Sequence, residues 1–237
     1  MADLIMRLTE LVKAPARRQR AALGLLSRPH RLAPLLDALI ADEAAARRVA
    51  DSSYRHPLGF DKYVLWCRHP AGRIRMHVWW PETERGEEHP HNHRFPFSSA
   101  VVAGLVRSEL FVEKCGGSPY TRFIDDTPLQ ADGWRLRAAG ATAVVPSAIM
   151  EVGAGSAYSQ AAETFHRVDV ASGLTVTLFL EGVVSRSHSE VLIRPGQHPP
   201  ALVPRIPFTR HELTERFALL SHLLVHQGPP AGSADRL

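Results

Sequence analysis

The segment His89-Pro90-His91-Asn92-His93 carries alternating histidines, and a further histidine lies far along the chain in Thr164-Phe165-His166-Arg167-Val168. In an extended strand, residues i and i+2 point to the same side, so His91 and His93 can reach one ion together. An imidazole from a distant strand would complete a three-histidine face that leaves open coordination positions. Because neutral imidazole binds Fe, Ni, Cu, Zn and Mn, the pattern predicts a mononuclear metal site and leaves the metal's identity open.

Around this segment, short apolar runs alternate with Gly and Pro turns. Many short strands without βαβ alternation favour an antiparallel sandwich or barrel, and their number fits a double-sheet jelly roll. The fold class predicted is therefore mainly β. The strand candidates are residues 62–68, 73–80, 97–103, 106–113, 121–125, 134–138, 142–146, 148–152, 165–170, 174–180 and 190–193.

Helical spacing of apolar residues marks both ends of the chain. It predicts N-terminal helices over residues 4–12, 17–26 and 35–50, with prolines at 15, 29 and 34 between them. A capping box from Thr209 to Glu212 predicts a C-terminal helix over 210–227, with Gly228 as its C-terminal cap and a frayed tail after it. We expect a helical segment at 1–55, the β domain with the metal site at 56–200, and a helix and tail at 201–237.

The composition excludes several classes of protein. Of the 237 residues, 45% are hydrophobic and 22% charged, as in an ordinary globular protein. The sequence contains no apolar run that is long and uncharged enough to predict a membrane span. The net charge is +4, yet the arginines are scattered among acids, which disfavours nucleic acid as a partner. Because Cys67 and Cys115 cannot form a disulfide framework, a cytoplasmic protein is expected.

Arginine greatly outnumbers lysine, which occurs only at Lys13, Lys62 and Lys114, and Ala, Leu and Gly are abundant. This usage indicates a high-GC bacterial genome. We expect a small-molecule substrate, no nucleic-acid or membrane partner, and a monomer or homodimer.

The paired histidines followed by Gly104 resemble the first cupin motif. That motif carries an acidic residue four or five positions after its second histidine, where this chain has Phe97 and Ser98. Without that acid, the chain resembles the three-histidine branch of cupins, which includes cysteine dioxygenase and related thiol dioxygenases. Further similar pieces, which extend the resemblance over about residues 60–182, are Arg75-Met76-His77-Val78-Trp79-Trp80, Glu109-Leu110-Phe111 and Ala157-Tyr158.

The resemblance implies a cupin-type double-stranded β-helix and assigns roles to particular residues. His91, His93 and His166 would be the metal ligands. Tyr63, Trp80 and Tyr158 would be catalytic residues that line the pocket. Residues expected to contact the substrate are Arg68, Arg75, Val78, Ser98 and Phe179, with Ile74, Met76, Val78 and Trp80 forming an inward apolar face. His77 would lie on the opposite face with a structural role.

Three departures from the family's pattern concern the substrate. The family's carboxylate-binding arginine falls near Leu65, so Arg68 or Arg75 would have to replace it. Its cross-linking cysteine falls near Ser98. Its serine–histidine–tyrosine series becomes Thr177, Phe179 and Glu181. The metal site therefore transfers from the family more safely than cysteine as the substrate.

The function that this resemblance implies is a mononuclear non-haem oxygenase of the dioxygenase kind. Fe(II) is the expected metal, Ni(II) the alternative, and O₂ the co-substrate. The substrate would be a small polar molecule such as an amino acid or thiol, in bacterial secondary metabolism. A non-oxidative metal cupin (an isomerase, lyase or decarboxylase) and a non-catalytic ligand-binding cupin remain alternatives. His89 is either an extra ligand or a solvated or supporting residue. Glu151, Glu163 and Asp169 lie nearby in sequence as possible supports for the ligands.

Overall fold

The computed structural model describes residues 9–68, 72–128, 131, 133–200 and 202–226. Residues 9–13 are helical, whereas the start predicted for that helix lies outside the described residues, as do Gly228 and the tail. The other helices are α1 (Ala16–Leu26), α2 (Pro29–Ala41), α3 (Glu43–Ser52) and α4 (Arg210–His226). No helix in these ranges is long and apolar enough to cross a membrane.

The strands lie between the helical ends of the chain. They are β1 (Tyr54–His56), β2 (Phe60–Arg68), β3 (Gly72–Trp79), β4 (Phe97–Ala103), β5 (Leu105–Asp125), β6 (Gly133–Trp134), β7 (Arg137–Gly153), β8 (Ala157–Gln160), β9 (Phe165–Val170), β10 (Thr175–Glu181), β11 (Ser189–Ile193) and β12 (Val203–Pro204).

Two main sheets are built from antiparallel pairs. The first has the order β1-β2-β3-β10-β4-β8. The second has the order β11-β5-β7, with β9 also paired to β5. A small third sheet joins β12 to β6. The mainly β class with N-terminal helices and a C-terminal helix is confirmed.

The first sheet has two chemically different faces. One face packs against the helices in the largest apolar core, where Met76 and Val78 of β3 meet Leu23 of α1 and Phe217 of α4. The other face turns toward the second sheet and carries more polar side chains. Since side chains alternate along a strand, every residue of β3 belongs to one face or the other.

Several local predictions require correction. Residues 106–113 and 121–125 form one bulged strand, β5, and residues 142–152 lie within the single strand β7. The helix predicted over 35–50 is two helices, because Asp42 leaves the helical conformation and its side chain accepts a hydrogen bond from the N–H of Ala45 (3.0 Å). Pro34 lies inside α2, where burial of its neighbours Ala33 and Leu36 holds the helix across the missing N–H.

The C-terminal helix is fixed at its start and along its length. The Thr209 side chain accepts from the N–H of Glu212 (3.2 Å), and the Glu212 carboxylate accepts from the N–H of Thr209 (2.8 Å), which confirms the capping box. Farther along, Arg216 donates to the buried carboxylate of Asp61 on β2 (2.7 Å). The helix is therefore attached to the first sheet by charge as well as by apolar packing.

Asp61 is the hub of this attachment, because it also accepts from Tyr63 Oη (2.9 Å) and Trp80 Nε1 (2.6 Å). We expect Asp61→Ala to lower the free energy of unfolding by about 3 kcal/mol, since it leaves buried donors unpaired. The exposed Asp37 on α2 supplies the control, and Asp37→Ala should change it by less than about 0.5 kcal/mol. Equal urea-denaturation midpoints for the two variants would contradict this role of Asp61.

Candidate metal centre

The backbones of His91 and His166 bring two distant segments together. The N–H of His91 donates to the carbonyl of His166 (2.9 Å), and the N–H of His166 donates to the carbonyl of His91 (2.9 Å). His166 lies on β9, whereas His91 makes an isolated bridge to it. This reciprocal pair fixes the two side chains next to each other.

The three predicted ligands converge through their Nε2 atoms. Nε2 of His166 lies 3.2 Å from Nε2 of His91 and 3.3 Å from Nε2 of His93. Two nitrogens that each lie about 2.1 Å from one ion are separated by about 3.0–3.4 Å when the angle between them is near 90–110°. Within the described residues, this is the group that could hold a metal ion, and its members are all histidines.

The segment that carries His91 and His93 is extended but does not form a regular strand, which corrects the expectation for it. Side-chain and backbone bonds hold it in place. The N–H of Asn92 donates to the carbonyl of Glu190 (3.0 Å), and the N–H of His93 donates to the carbonyl of Ala162 (2.9 Å). The alternation of side chains survives, so both imidazoles face the same side.

Asn92 is the buried residue between the two ligands, and its side chain makes two further bonds with Glu190 on β11. Its Nδ2 donates to the Glu190 carboxylate (2.7 Å), and its Oδ1 accepts from the Glu190 N–H (2.7 Å). Arg122 and Arg186 each donate to that carboxylate (2.8 and 2.7 Å). The hydrogen bonds from Arg186 and Asn92 and the charge of Arg122 lower the pKa of Glu190 despite its burial, so it stays an acceptor.

The Nδ1 atoms of His91 and His166, which point away from the centre, have hydrogen-bond partners of their own. Nδ1 of His91 lies 3.1 Å from the carbonyl of His89 and 3.5 Å from the carboxylate of Glu88. Nδ1 of His166 contacts the side-chain amide of Gln160. Such partners fix the ring orientation and the tautomer of a metal-binding histidine. The acids considered from the sequence, Glu151, Glu163 and Asp169, are exposed, so His89 and Gln160 take the supporting positions.

The side-chain amide of Gln160 can present either its nitrogen or its oxygen to Nδ1 of His166. Its Nε2 donates to the carbonyl of Thr164 (3.2 Å), while its Oε1 has no partner among the described residues. A histidine that binds metal through Nε2 carries its proton on Nδ1 and needs an acceptor there. Rotating the amide would bring Oε1 to Nδ1 of His166 as that acceptor, with loss of the bond from Nε2 to the Thr164 carbonyl.

All three imidazoles are held in the neutral form that binds metal. Burial lowers the pKa of His91, and it lowers the pKa values of His93 and His166 strongly. The proximity of His91 lowers the last two further. Burial also raises the pKa of Glu88 to about 8, although its carboxylate accepts from the N–H of Val168 (3.0 Å).

The histidines line a cavity of about 800 Å³ between the two main sheets. Of the residues expected near the substrate, Arg75, Tyr158 and Phe179 line it. Arg75 is buried, forms an ion pair with Glu181, and lies over the ring of Phe179 with its Cζ 4.7 Å from the centroid. Burial raises the pKa of Tyr158 to about 12, so its phenol keeps its proton.

The remaining predicted pocket residues lie elsewhere. Val78 belongs to the core against the helices, and Tyr63 stacks there against Phe208 (centroids 5.3 Å apart). Trp80 lies on that face too, bonded to Asp61. Ser98 is buried against α1, where it donates to Gln19 Oε1 (2.8 Å), and Arg68 is exposed at the end of β2. These side chains are separated from the centre by the sheet.

Val78 and Trp80 were misplaced because the wrong face was chosen along β3. The apolar series Ile74, Met76, Val78 and Trp80 faces the helices, and the complementary series Arg73, Arg75, His77 and Trp79 lines the cavity. The prediction that His77 faces away from the pocket is therefore wrong, because His77 lines the cavity. Strict apolar alternation marks the face that meets another packed layer, and only the sheet's neighbours decide which face that is.

Sequence reasoning also missed cavity residues and supports. Lys62 and Phe60 on β2 line the cavity, and Asn92 with Glu190 positions the ligands. The alternation of Phe60, Lys62 and Val64 could have indicated the first two once the face was known. Nothing local in the sequence pairs Asn92 with Glu190, because they meet only through the second sheet.

Antiparallel sheets enclose a cavity in which the paired histidines meet a distant third. No protein-family model matches the chain, and no curated protein matches its sequence.

Among solved structures, the chain is similar to hydroquinone 1,2-dioxygenase PnpCD at 15% identity and a TM-score of 0.32, over 50% of this chain and 61% of that chain. It is similar to a chain from a study of the DMSP lyases RdDddP and RnDddQII at 14% identity and a TM-score of 0.30, over 52% and 47%. It thus spans less than two thirds of these two chains. It is also similar to Streptomyces Pac13, described as a nucleoside dehydratase, at 15% identity and a TM-score of 0.28, over 69% of this chain and 92% of that chain. All three likenesses are distant.

The two side-chain hydrogen bonds between Asn92 and Glu190, which we call the Asn92–Glu190 lock, lead to a prediction for metal affinity. Asn92→Ala removes both side-chain bonds and frees the segment between two ligands, so we expect metal to bind at least about tenfold more weakly. Competition with a chelator for Co(II) measures this, and Gln197→Ala, in an exposed turn, is the control. An unchanged Co(II) affinity in a folded Asn92→Ala protein would show that the lock does not position the ligands.

Proposed function

We propose that this protein is a mononuclear non-haem metal-dependent oxygenase that acts on a small polar organic substrate. The observation that carries the proposal is the convergence of three neutral Nε2 atoms, from His91, His93 and His166, in a cavity that has room for a substrate beside them. The resemblance of the sequence to the three-histidine cupins, including thiol dioxygenases, supports the same reaction class.

The donor set fits a divalent ion. Three neutral imidazoles leave the ion its full positive charge, which favours an anionic substrate atom next to it. Fe(II) is our first choice and Ni(II) the second, because imidazole suits both. When bound, Fe(II) would supply the one-electron chemistry that dioxygen needs to react with a closed-shell substrate.

The chain's own residues would exclude water and orient the ligands. Phe95, Phe97 and Phe179 surround His93, with ring centroids 5.6, 5.1 and 6.1 Å from its own. Such an apolar wall lowers the local dielectric and limits proton leakage. The carbonyl of His89 would hold the Nδ1 proton of His91, and the protonated phenol of Tyr158 can donate a hydrogen bond inside the cavity.

The first test is metal content. We expect near-stoichiometric iron or nickel in anaerobically purified wild-type protein, measured by mass spectrometry, and its loss in His166→Ala. His211→Ala, on the exposed side of α4, should keep its metal. A wild-type protein that stays metal-free after reconstitution with Fe(II), Ni(II), Mn(II) and Zn(II) would refute the metal centre and leave a ligand-binding barrel.

The second test separates oxygenase from other metal chemistry. Nitric oxide, a dioxygen surrogate, should give an S = 3/2 EPR signal with the Fe(II)-loaded protein if an open position exists. The absence of that signal, together with no substrate-dependent oxygen uptake by the loaded protein, would reject the oxygenase. The non-oxidative alternatives, in which the ion polarises a carbonyl or a leaving group, would then replace it.

A further inference from the structure

We propose that the end of the cavity around Lys62 binds the oxyanion of an aromatic organic acid, with the acid's ring against the aromatic side chains of β1, β2 and β6. As a statement about substrate class, it rests on the proposed function. As a binding site, it stands on the charges and rings described next.

Lys62 lines the cavity without a counter-ion. Among the described residues it forms no ion pair, and its contact is with a ring, its Nζ lying 5.3 Å from the centroid of Tyr54. A half-buried ammonium without a carboxylate is costly unless a ligand completes the pair. Since Nζ carries only donors, the group that completes it must be an acceptor, and an oxyanion suits it best.

The surroundings of Lys62 are positive as well. The charged side chains whose fields act on it are three arginines, Arg73, Arg75 and Arg205, and one carboxylate, Glu181. That carboxylate is already shared between two of the arginines, as its ion pairs show. A divalent ion on three neutral imidazoles would add further positive charge to the same cavity. The end of the cavity around Lys62 therefore favours an anionic ligand.

Burial and these guanidinium groups lower the pKa of Lys62 well below its ordinary value. An anion placed on Nζ would act in the opposite direction, because an opposite charge favours the ammonium form. We place the oxyanion at Lys62 and the rest of the ligand in the cavity that Lys62 shares with His91 and His93.

Aromatic rings wall this end of the cavity. His56 stacks on Phe60 (centroids 4.4 Å apart) and on Trp134 (5.4 Å). Phe60 lies 4.9 Å from Trp79, and Tyr54 lies 6.1 Å from Trp134. A planar ring gains offset-stacked or edge contacts against such walls. A cavity of about 800 Å³ also exceeds what a single small amino acid would fill, whereas an aromatic acid uses more of it.

The test compares two probes of equal shape and different charge. Isothermal titration calorimetry on the metal-free full chain, with cinnamate and with cinnamamide, measures the site without direct binding of carboxylate to metal. We expect the wild type to bind cinnamate at least about tenfold more tightly than the amide. Lys62→Met should abolish that preference, whereas Lys62→Arg should keep most of it. Lys114→Met, at an exposed position on β5, is the matched control.

A second pair of probes, phenyl phosphate and phenol, distinguishes a phosphate from a carboxylate as the natural oxyanion. Trp134→Ala tests the wall and should weaken cinnamate and cinnamamide alike. Equal affinity of the wild type for both cinnamoyl probes, or a charge preference that survives in Lys62→Met, would overturn the proposal. Thermal unfolding of each variant shows that the compared proteins are folded.

The outcomes also separate this proposal from the proposed function. A charge preference that depends on Lys62 in a protein that never takes up metal would keep the anion site and reject the metalloenzyme. A metal-loaded, oxygen-consuming protein without that preference would keep the oxygenase and reject the aromatic acid as its substrate.

Discussion

The reciprocal hydrogen bonds between His91 and His166 are the constraint on which the candidate metal centre depends. They join a segment after β3 to β9, and the same segment also pairs with β11, so the two histidines become neighbours when the second sheet forms around it. Backbone pairing of this kind fixes side-chain positions more firmly than side-chain contacts can, because it removes main-chain freedom at both residues. The lock from Asn92 to Glu190 extends the same constraint through the residue between His91 and His93.

The first sheet divides the molecule into a structural side and a chemical side. On the helix side, Asp61 and apolar side chains join the sheet to α4. On the cavity side, the same strands present Lys62, Arg75 and His77. The apolar core between the sheet and the helices stabilises the fold. The cavity face can therefore carry charged side chains, which are costly to bury. It also explains why the wrong choice of face along β3 displaced Val78 and Trp80 from the predicted pocket.

Much of the fold and the paired histidines of the candidate metal centre could be predicted from local patterns. Strand alternation gave β4 and β9 their observed bounds, and a capping box gave the start of α4. The long strands β5 and β7 were divided because bulges interrupt their alternation, which resembles a turn in sequence. The supports of the ligands could not be predicted, since a carbonyl such as that of His89 carries no signal in its residue type.

The sequence by itself determined most of the elements, the mainly β class and the pair His91 and His93, because periodicity, capping and ligand spacing reside in nearby residues, whereas His166 was assigned by the resemblance to the three-histidine cupins. Only the tertiary structure decided which face of β3 meets the cavity, since the apolar face packs against the helices and the sequence does not say on which side of the sheet they lie. It alone also placed Lys62 among arginines and without a carboxylate of its own. Charge balance in a cavity depends on residues far apart in the chain, and only folding brings them into one field.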